Sequence, residues 1–296
     1  MTPAPDVIAL ALVPAVLWGF SPIVSKRGMA AGGSSLQASL VVVAVDTAIY
    51  WVALLALTGG RPAAGLSAAT VGVFAAAGLV GTALGRLATF TGVDKVGASV
   101  NSAGISARPL FATVLAFAWL GEPVTLPTAL GILVLVAGLV SLALAEGGDI
   151  GGWERRELLY PVAAAGLFAF GNVVRRFGLT TTPATTLQAV TINETAALIG
   201  LAAYGLAKGR RDVFGAPRRT YGYFAISGTV TAVALLSLFE AFDRGPVAIV
   251  DPLAGTAPLF TTVFAAFLLR DLERVTRGVV AGAVLIVVGA GLITAL

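Results

Sequence analysis

The chain repeats itself about halfway along. Val93–Glu122 lies over Phe242–Asp271 without a gap at a constant offset, 243 − 94 = 149 for Asp94 and Asp243. Eight positions are identical: Asp94/Asp243, Pro109/Pro258, Leu110/Leu259, Phe111/Phe260, Thr113/Thr262, Val114/Val263, Ala116/Ala265 and Leu120/Leu269. Lys95/Arg244 and Glu122/Asp271 keep the sign of the charge. The repeat sits in a sequence that is 57% hydrophobic and only 11% charged, against roughly 45–50% and 25% in an average soluble domain. Duplication inside so apolar a chain constrains the fold to two related bundles in a bilayer, the arrangement of transporters that rock around a central site.

Crossing about 30 Å of hydrocarbon takes roughly 20 apolar residues in a helix. Ten such runs are expected, at about 6–25, 36–58, 67–91, 97–120, 125–145, 159–178, 184–207, 219–241, 246–269 and 274–295. The sequence therefore predicts an all-α integral membrane protein with ten transmembrane helices. The links are short and rich in Gly, Pro and charge, as in Gly121-Glu122-Pro123. The longest link between the halves is 146–158, which gives one five-helix repeat over 1–148 and a second over 149–296. Five is odd, so the second copy runs through the membrane upside down and the repeats are inverted. The start, MTPAPD, has no basic residue and runs straight into the first apolar segment. That segment is expected to remain as a span rather than be cleaved.

Cysteine and histidine are both absent, which excludes disulfides, thiolate or imidazole metal sites and any Ser/His/Asp triad. Neither a metal nor a cofactor is expected. The basic run Lys208–Arg219 links two apolar stretches and reads as a loop anchor rather than a nucleic-acid contact. Outside Arg86 and Arg108, thirteen Lys and Arg fall on one side of the ten segments and four (Arg61, Arg175, Arg176, Arg244) on the other. The positive-inside rule then places both termini outside. Lys26/Arg27 and Arg175/Arg176 end equivalent segments on opposite faces, so the alternative is that they serve the pathway and distort the count.

Trp18-Gly19-Phe20-Ser21-Pro22, the stretch Gly92–Thr125 and its echo Ala241–Thr276 carry a resemblance to the EamA family of the drug/metabolite transporter superfamily. In that family each repeat has a similar stretch that ends the third segment, crosses Pro-Leu-Phe in the fourth and finishes with Gly-Glu. The likeness covers essentially the whole chain. It implies a multi-pass cell-membrane transporter and is silent on the substrate. Leu167-Phe168-Ala169 replaces Trp-Gly, and Arg270-Asp271 replaces Gly-Glu, so the halves are not expected to treat a substrate alike.

A charge at mid-bilayer costs about 2.5–3.5 kcal/mol on insertion scales and needs a reason. Asp46 and Glu194 lie mid-segment and are repeat mates, 194 − 46 = 148, in the matching contexts Asp46-Thr47-Ala48 and Glu194-Thr195-Ala196. They are candidates for proton coupling or a substrate amine, or else a structural pair. Arg86 and Arg108 are their obvious partners; Arg108 precedes Pro109, whose missing N–H frees a carbonyl and offers a flex point mirrored by Pro258. Either arginine could instead hold a substrate carboxylate or phosphate. If all four pair internally the cavity is near neutral and suits zwitterions such as amino acids. Asn101, Asn172 and Asn193 add amides that bridge helices or touch substrate. Asp251 is expected near a segment end, in water. Trp18 is the candidate cavity liner, and Trp51, Trp119 and Tyr160 the candidate interfacial belt. The glycine pairs Gly81/Gly85, Gly278/Gly282, Gly131/Gly138 and Gly282/Gly289 allow close helix contact, within the bundle or in a homodimer.

These residues predict a secondary transporter, an exporter or exchanger of a small organic metabolite such as an amino acid, working by alternating access with proton coupling. No GxxxxGK[ST] signature is present to bind a nucleotide. The alternative is a passive facilitator or channel whose carboxylates are structural. An intramembrane enzyme would have only acids, Ser and Lys to work with, and no paired constellation is evident.

Overall fold

The computed structural model describes residues 4–145, 154–209, 215–268 and 277–294, and among these every regular element is a helix. In hydrocarbon a backbone must satisfy its own N–H and C=O groups, and a helix does so within one segment. Among the described residues nine helical stretches are long and apolar enough to cross a membrane, with a shorter apolar helix over Val280–Thr294. Several features read from the sequence fall outside the described residues: 146–153 of the link between halves, Arg210, Arg211 and Arg274, and Leu269, Arg270 and Asp271, the mates of Leu120, Gly121 and Glu122.

Helix α1 (Pro5–Ala30) leads into α2 (Ser35–Leu57). The third span begins as α3 (Ala68–Ala76), turns π-helical over Ala77–Leu84 and continues as α4 (Gly85–Val96). The fourth is broken into α5 (Ala98–Ile105) and α6 (Arg108–Leu115), ending in a second π stretch, Ala116–Leu120. Then follow α7 (Leu126–Ala145), α8 (Leu159–Thr181), α9 (Thr186–Ala207) and α10 (Arg218–Arg244). The ninth span is again broken, into α11 (Val247–Ala254) and α12 (Ala257–Leu268), and α13 (Arg277–Thr294) closes the described chain.

Pro109 and Pro258 are the second residues of α6 and α12. At a helix start the missing N–H costs nothing, because it has no intrahelical partner there. The break lies just before each proline, at Ser106–Ala107 and at Gly255–Thr256. The repeat also shows in the caps. Ser34 with Gln37 and Thr185 with Gln188 form capping boxes that start α2 and α9, each satisfying two otherwise orphaned N–H groups.

Glycine sets how closely the helices approach. A Cβ on Gly138 would sit 2.7 Å from the Ile286 nitrogen and one on Gly289 2.5 Å from the Leu135 nitrogen, so α7 and α13 pack backbone to backbone. These glycines serve contacts inside one chain. Gly78 and Gly81 do the same for the π stretch, meeting the Asn193 carbonyl oxygen of α9 at 2.0 Å and the Gly171 Cα of α8 at 2.7 Å from their would-be Cβ atoms. π-Helical turns occur often at functional sites, and this one carries Thr82 into the polar centre. Outward-facing Val, Leu, Ile and Phe side chains are exposed along the spans, as a lipid-facing surface requires.

Candidate functional site

A cavity of about 440 Å³ lies between α1, α2, α4, the first π stretch, α6, α8, α9 and α10. Met29 and Ser35 at its rim are exposed, whereas Thr231, Leu235 and Leu238 along α10 are buried. The mouth is on the face where α1 ends and α2 begins. Trp18, Pro22 and Phe168 supply apolar wall, and Ser21, Ser25 and Ser227 form a hydroxyl cluster with Ser21 Oγ 2.5 Å and Ser25 Oγ 2.8 Å from Ser227 Oγ.

The innermost polar wall is one connected network centred on Arg175. Its side chain is only 6% exposed and every nitrogen of the guanidinium is used: Nε donates to Asn193 Oδ1 at 3.1 Å, Nη1 to Asn172 Oδ1 at 2.6 Å and Nη2 to Thr82 Oγ1 at 2.7 Å. The guanidinium also lies 5.4 Å from the centre of the Phe239 ring, a favourable cation–π position. Asn193 Nδ2 in turn donates to Glu194 Oε1 at 2.7 Å and to Thr82 Oγ1 at 3.2 Å. On the other side Asn172 Nδ2 donates to Asp251 Oδ1, and Asp251 pairs with Arg108 at 3.2 Å.

Asp46 and Glu194 are both 0% exposed and lie within electrostatic range of each other and of Arg86. Each keeps one buried carboxyl oxygen, Asp46 Oδ2 and Glu194 Oε2, with no hydrogen-bond partner. Thr47 Oγ1 donates to Asp46 Oδ1 at 3.5 Å, and the nearby Tyr50 hydroxyl is committed to the Ala232 carbonyl at 2.7 Å. Arg86 lines the cavity.

Glu194, Arg86, Arg108, Trp18 and Asn172 thus line one cavity, with Asp46 and Asn193 packed behind it. Asn101 is elsewhere, buried against Gly92 with its Oδ1 unpartnered. Trp51, Trp119 and Tyr160 face outward. Two expectations are corrected. Asp251 is not in water near a span end but fully buried, as is every residue of α11. Arg108 pairs with Asp251 rather than with Asp46 or Glu194. Arg175 stands in the cavity wall, so the four basic residues counted on the less basic side become three. Its signal was present: Phe168, Asn172 and Arg175 fall at i, i+4 and i+7, one face of a helix.

A second polar layer seals the end opposite the mouth. Glu122, at the end of the fourth span, pairs with Arg176 at 3.3 Å, and its Oε2 accepts the Val247 N–H at 2.7 Å, at the N-terminus of α11. Arg176 Nη1 also donates to the carbonyls of Phe242 at 2.5 Å and Asp243 at 2.9 Å. Burial pushes the Glu122 carboxyl above the usual glutamate range, against the opposing pull of the Val247 N–H and the Arg176 charge.

Comparison with known proteins supplies the remaining findings. The profile of the EamA-like transporter family matches twice, over residues 7–144 and 155–295. No curated protein matches the chain. Among solved structures, one described only as "Crystal structure of protein" superposes with a TM-score of 0.77 at 17% identity, covering 97% of this chain and 95% of its own. At that identity the likeness is one of fold.

Proposed function

Because this chain belongs to the EamA-like transporter family, a family of multi-pass membrane transporters rather than enzymes, we propose that it is a secondary transporter that exports or exchanges a small organic metabolite such as an amino acid. The observation that carries this reading is the cavity lined by buried Glu194 with Asp46 packed behind it, each carboxyl group keeping one oxygen free. Apolar walls with a few convergent polar groups are what a small-molecule site needs. In this reading α13 completes ten spans as two inverted five-helix halves, 1–148 and 149–296. By the Lys/Arg count the mouth faces the cytoplasm of the cell, and both termini lie outside.

Alternating access then has two named parts. The Glu122–Arg176 layer holds the outer end shut in the state described here, and the breaks before Pro109 and Pro258 let the half-helices beside the cavity reorient. Asp46 and Glu194 are the coupling site, since intramembrane carboxyl groups in transporters serve as proton relays. Asn172 and Asn193 position Arg175, Asp251 and Glu194 around the substrate, and Trp18 packs against its apolar part.

The test is uptake into liposomes of labelled amino acids, amines and phosphorylated metabolites, with and without a pH gradient. Gradient-driven accumulation by the parent protein is expected to vanish in Asp46→Asn and Glu194→Gln, while exchange at equal pH persists. Saturable uptake indifferent both to pH and to these substitutions would make the protein a facilitator with structural carboxylates.

A further inference from the structure

The three arginines on the cavity wall are not equivalent. Arg108 is ion-paired with Asp251 at 3.2 Å, and Arg175 has all three nitrogens engaged by Asn193, Asn172 and Thr82. Arg86 lines the same cavity but makes no hydrogen bond or ion pair with any described residue, and the charges of Asp46 and Glu194 lie within electrostatic range of its own. Its donors are the ones left for a ligand. A guanidinium presents them as a planar fork, which matches the two oxygens of a carboxylate.

We propose that Arg86 docks a carboxylate of the substrate and that the Asp46–Glu194 pair takes up a proton as it does so, so that carboxylate and proton cross the membrane in the same direction. The proposal deepens the transporter reading above and rests on it.

Arg86, Arg108 and Arg175 face Asp46, Glu194 and Asp251, three cations against three acids, and the set is neutral with all six ionised. A substrate carboxylate on Arg86 adds one negative charge where surrounding apolar groups cannot solvate it, and a proton restores neutrality. Asp251 is the wrong recipient, because Asn172 and Arg108 occupy its oxygens. Asp46 Oδ2 and Glu194 Oε2 are free to form the new O–H bond. The groups facing that pair are Arg86, Arg175, Thr82, Asn193, Thr47 and Tyr50, and Tyr50 donates to a backbone carbonyl instead. Neither carboxyl has exposed surface, so a proton reaches these oxygens where a substrate ammonium does not. The proton enters from water in the cavity mouth, and that O–H bond breaks again when the carboxylate leaves on the other side.

The experiment uses the full chain in liposomes with a trapped pH-sensitive dye and a labelled panel: amino acids, their amine-free monocarboxylate counterparts, and their amides, which lack the carboxylate. Empty liposomes correct for diffusion of neutral acids. Members with a carboxylate are expected to move saturably and acidify the compartment they enter, by about one proton each. Amides should not compete. Arg86→Gln should weaken apparent affinity for carboxylates about tenfold to a hundredfold, with Arg86→Lys losing less. If Arg86→Gln does not fold, the Lys variant and the amide arm carry the test. Amides transported as well as acids, with Arg86 variants unimpaired, would overturn the carboxylate site and leave the transporter reading standing. Alkalinisation of the receiving compartment would overturn co-transport. Saturable flux of no panel member at all would overturn the transporter reading itself.

Discussion

Replacing Arg175 with methionine should destabilise the fold through charge more than through lost hydrogen bonds. The substitution removes three donors, at 2.6, 2.7 and 3.1 Å, and a cation 5.4 Å from the Phe239 ring. Hydrogen bonds between membrane helices average about 0.6 kcal/mol, so the two that leave α8, to Asn193 and Thr82, amount to about 1 kcal/mol. The charge term is larger. Arg175 lies within electrostatic range of Glu194 and Asp251, and removing one member of a buried charged network typically costs about 3–5 kcal/mol, because the remaining charge stays buried. Arg175→Met is therefore expected to lose about 3–5 kcal/mol. Adding Glu194→Gln removes much of the stranded charge and should leave the double variant only about 1 kcal/mol below the parent, the share of the hydrogen bonds between helices. Reversible unfolding in mixed micelles, followed by tryptophan fluorescence on the four proteins of the cycle, measures both numbers. Strict additivity, with a coupling below about 0.5 kcal/mol, would refute the reasoning and leave Arg175 a hydrogen-bonding strut.

Two further outcomes follow from the structure. Glu122 is nearly buried in the closed outer layer and its carboxyl sits above the usual range because of that burial. A raised acid binds its proton more tightly in the closed layer than in water, so falling pH favours closure and rising pH through that range weakens it. Labelling of a Leu238→Cys probe by an impermeant thiol reagent added on the termini side should decrease on acidification, and Glu122→Gln should flatten that dependence; labelling that rises on acidification would contradict the assignment. Gly138→Val would force a Cβ to within 2.7 Å of the Ile286 nitrogen, where backbone cannot yield cheaply. Separation of α7 from α13 and a loss of at least about 1–3 kcal/mol are expected, read from the same unfolding assay, whereas Gly222→Ala, with open space at its Cβ, should be neutral.

Much of this architecture was legible because bilayer physics leaves a strong trace. Apolar runs of spanning length, the 149-residue offset and the mid-span carboxyl groups Asp46 and Glu194 can all be read from residue types alone. What escaped depended on depth and on neighbours. Arg175 stands beside Arg176 close to a span end, and residue types alone do not say whether either is an anchor or part of the pathway; their side chains part, one entering the cavity wall and the other tying down the end opposite the mouth. Asp251 was misplaced because the whole of α11 is buried, which a position near the start of an apolar run does not reveal. The π stretch Ala77–Leu84 has no counterpart in α10, which stays regular. Its fit against α8 and α9 depends on where Gly78 and Gly81 meet those helices, and such contacts are invisible along one chain.

The repeat also sorts the site by role. At the repeat offset, Arg86 maps onto Leu235, Arg108 onto Ala257, Asp251 onto Ser102 and Arg175 onto Lys26, which is exposed. Among the acids and arginines of the centre, only Asp46 and Glu194 come near to being mates, 194 − 46 = 148, one residue short of that offset. Under the inverted arrangement proposed above, the two end states exchange the environments of the halves. A pair contributed equally by both halves keeps a similar setting in each state, which is what a proton carrier needs if it is to load on one side and unload on the other. A group present in one half only meets different neighbours in the two states. Arg86 is such a group, so its grip on a ligand differs between them, and differential affinity is the only means by which a bound ligand can shift a conformational equilibrium. The duplicated acids and the single arginine therefore suit different tasks, coupling and release, and a variant that moves Arg86 into the second half, Arg86→Leu with Leu235→Arg, should retain proton dependence while altering which side binds the carboxylate more tightly. Unchanged sidedness in that variant would show that the asymmetry lies in the Arg108–Asp251 pair instead.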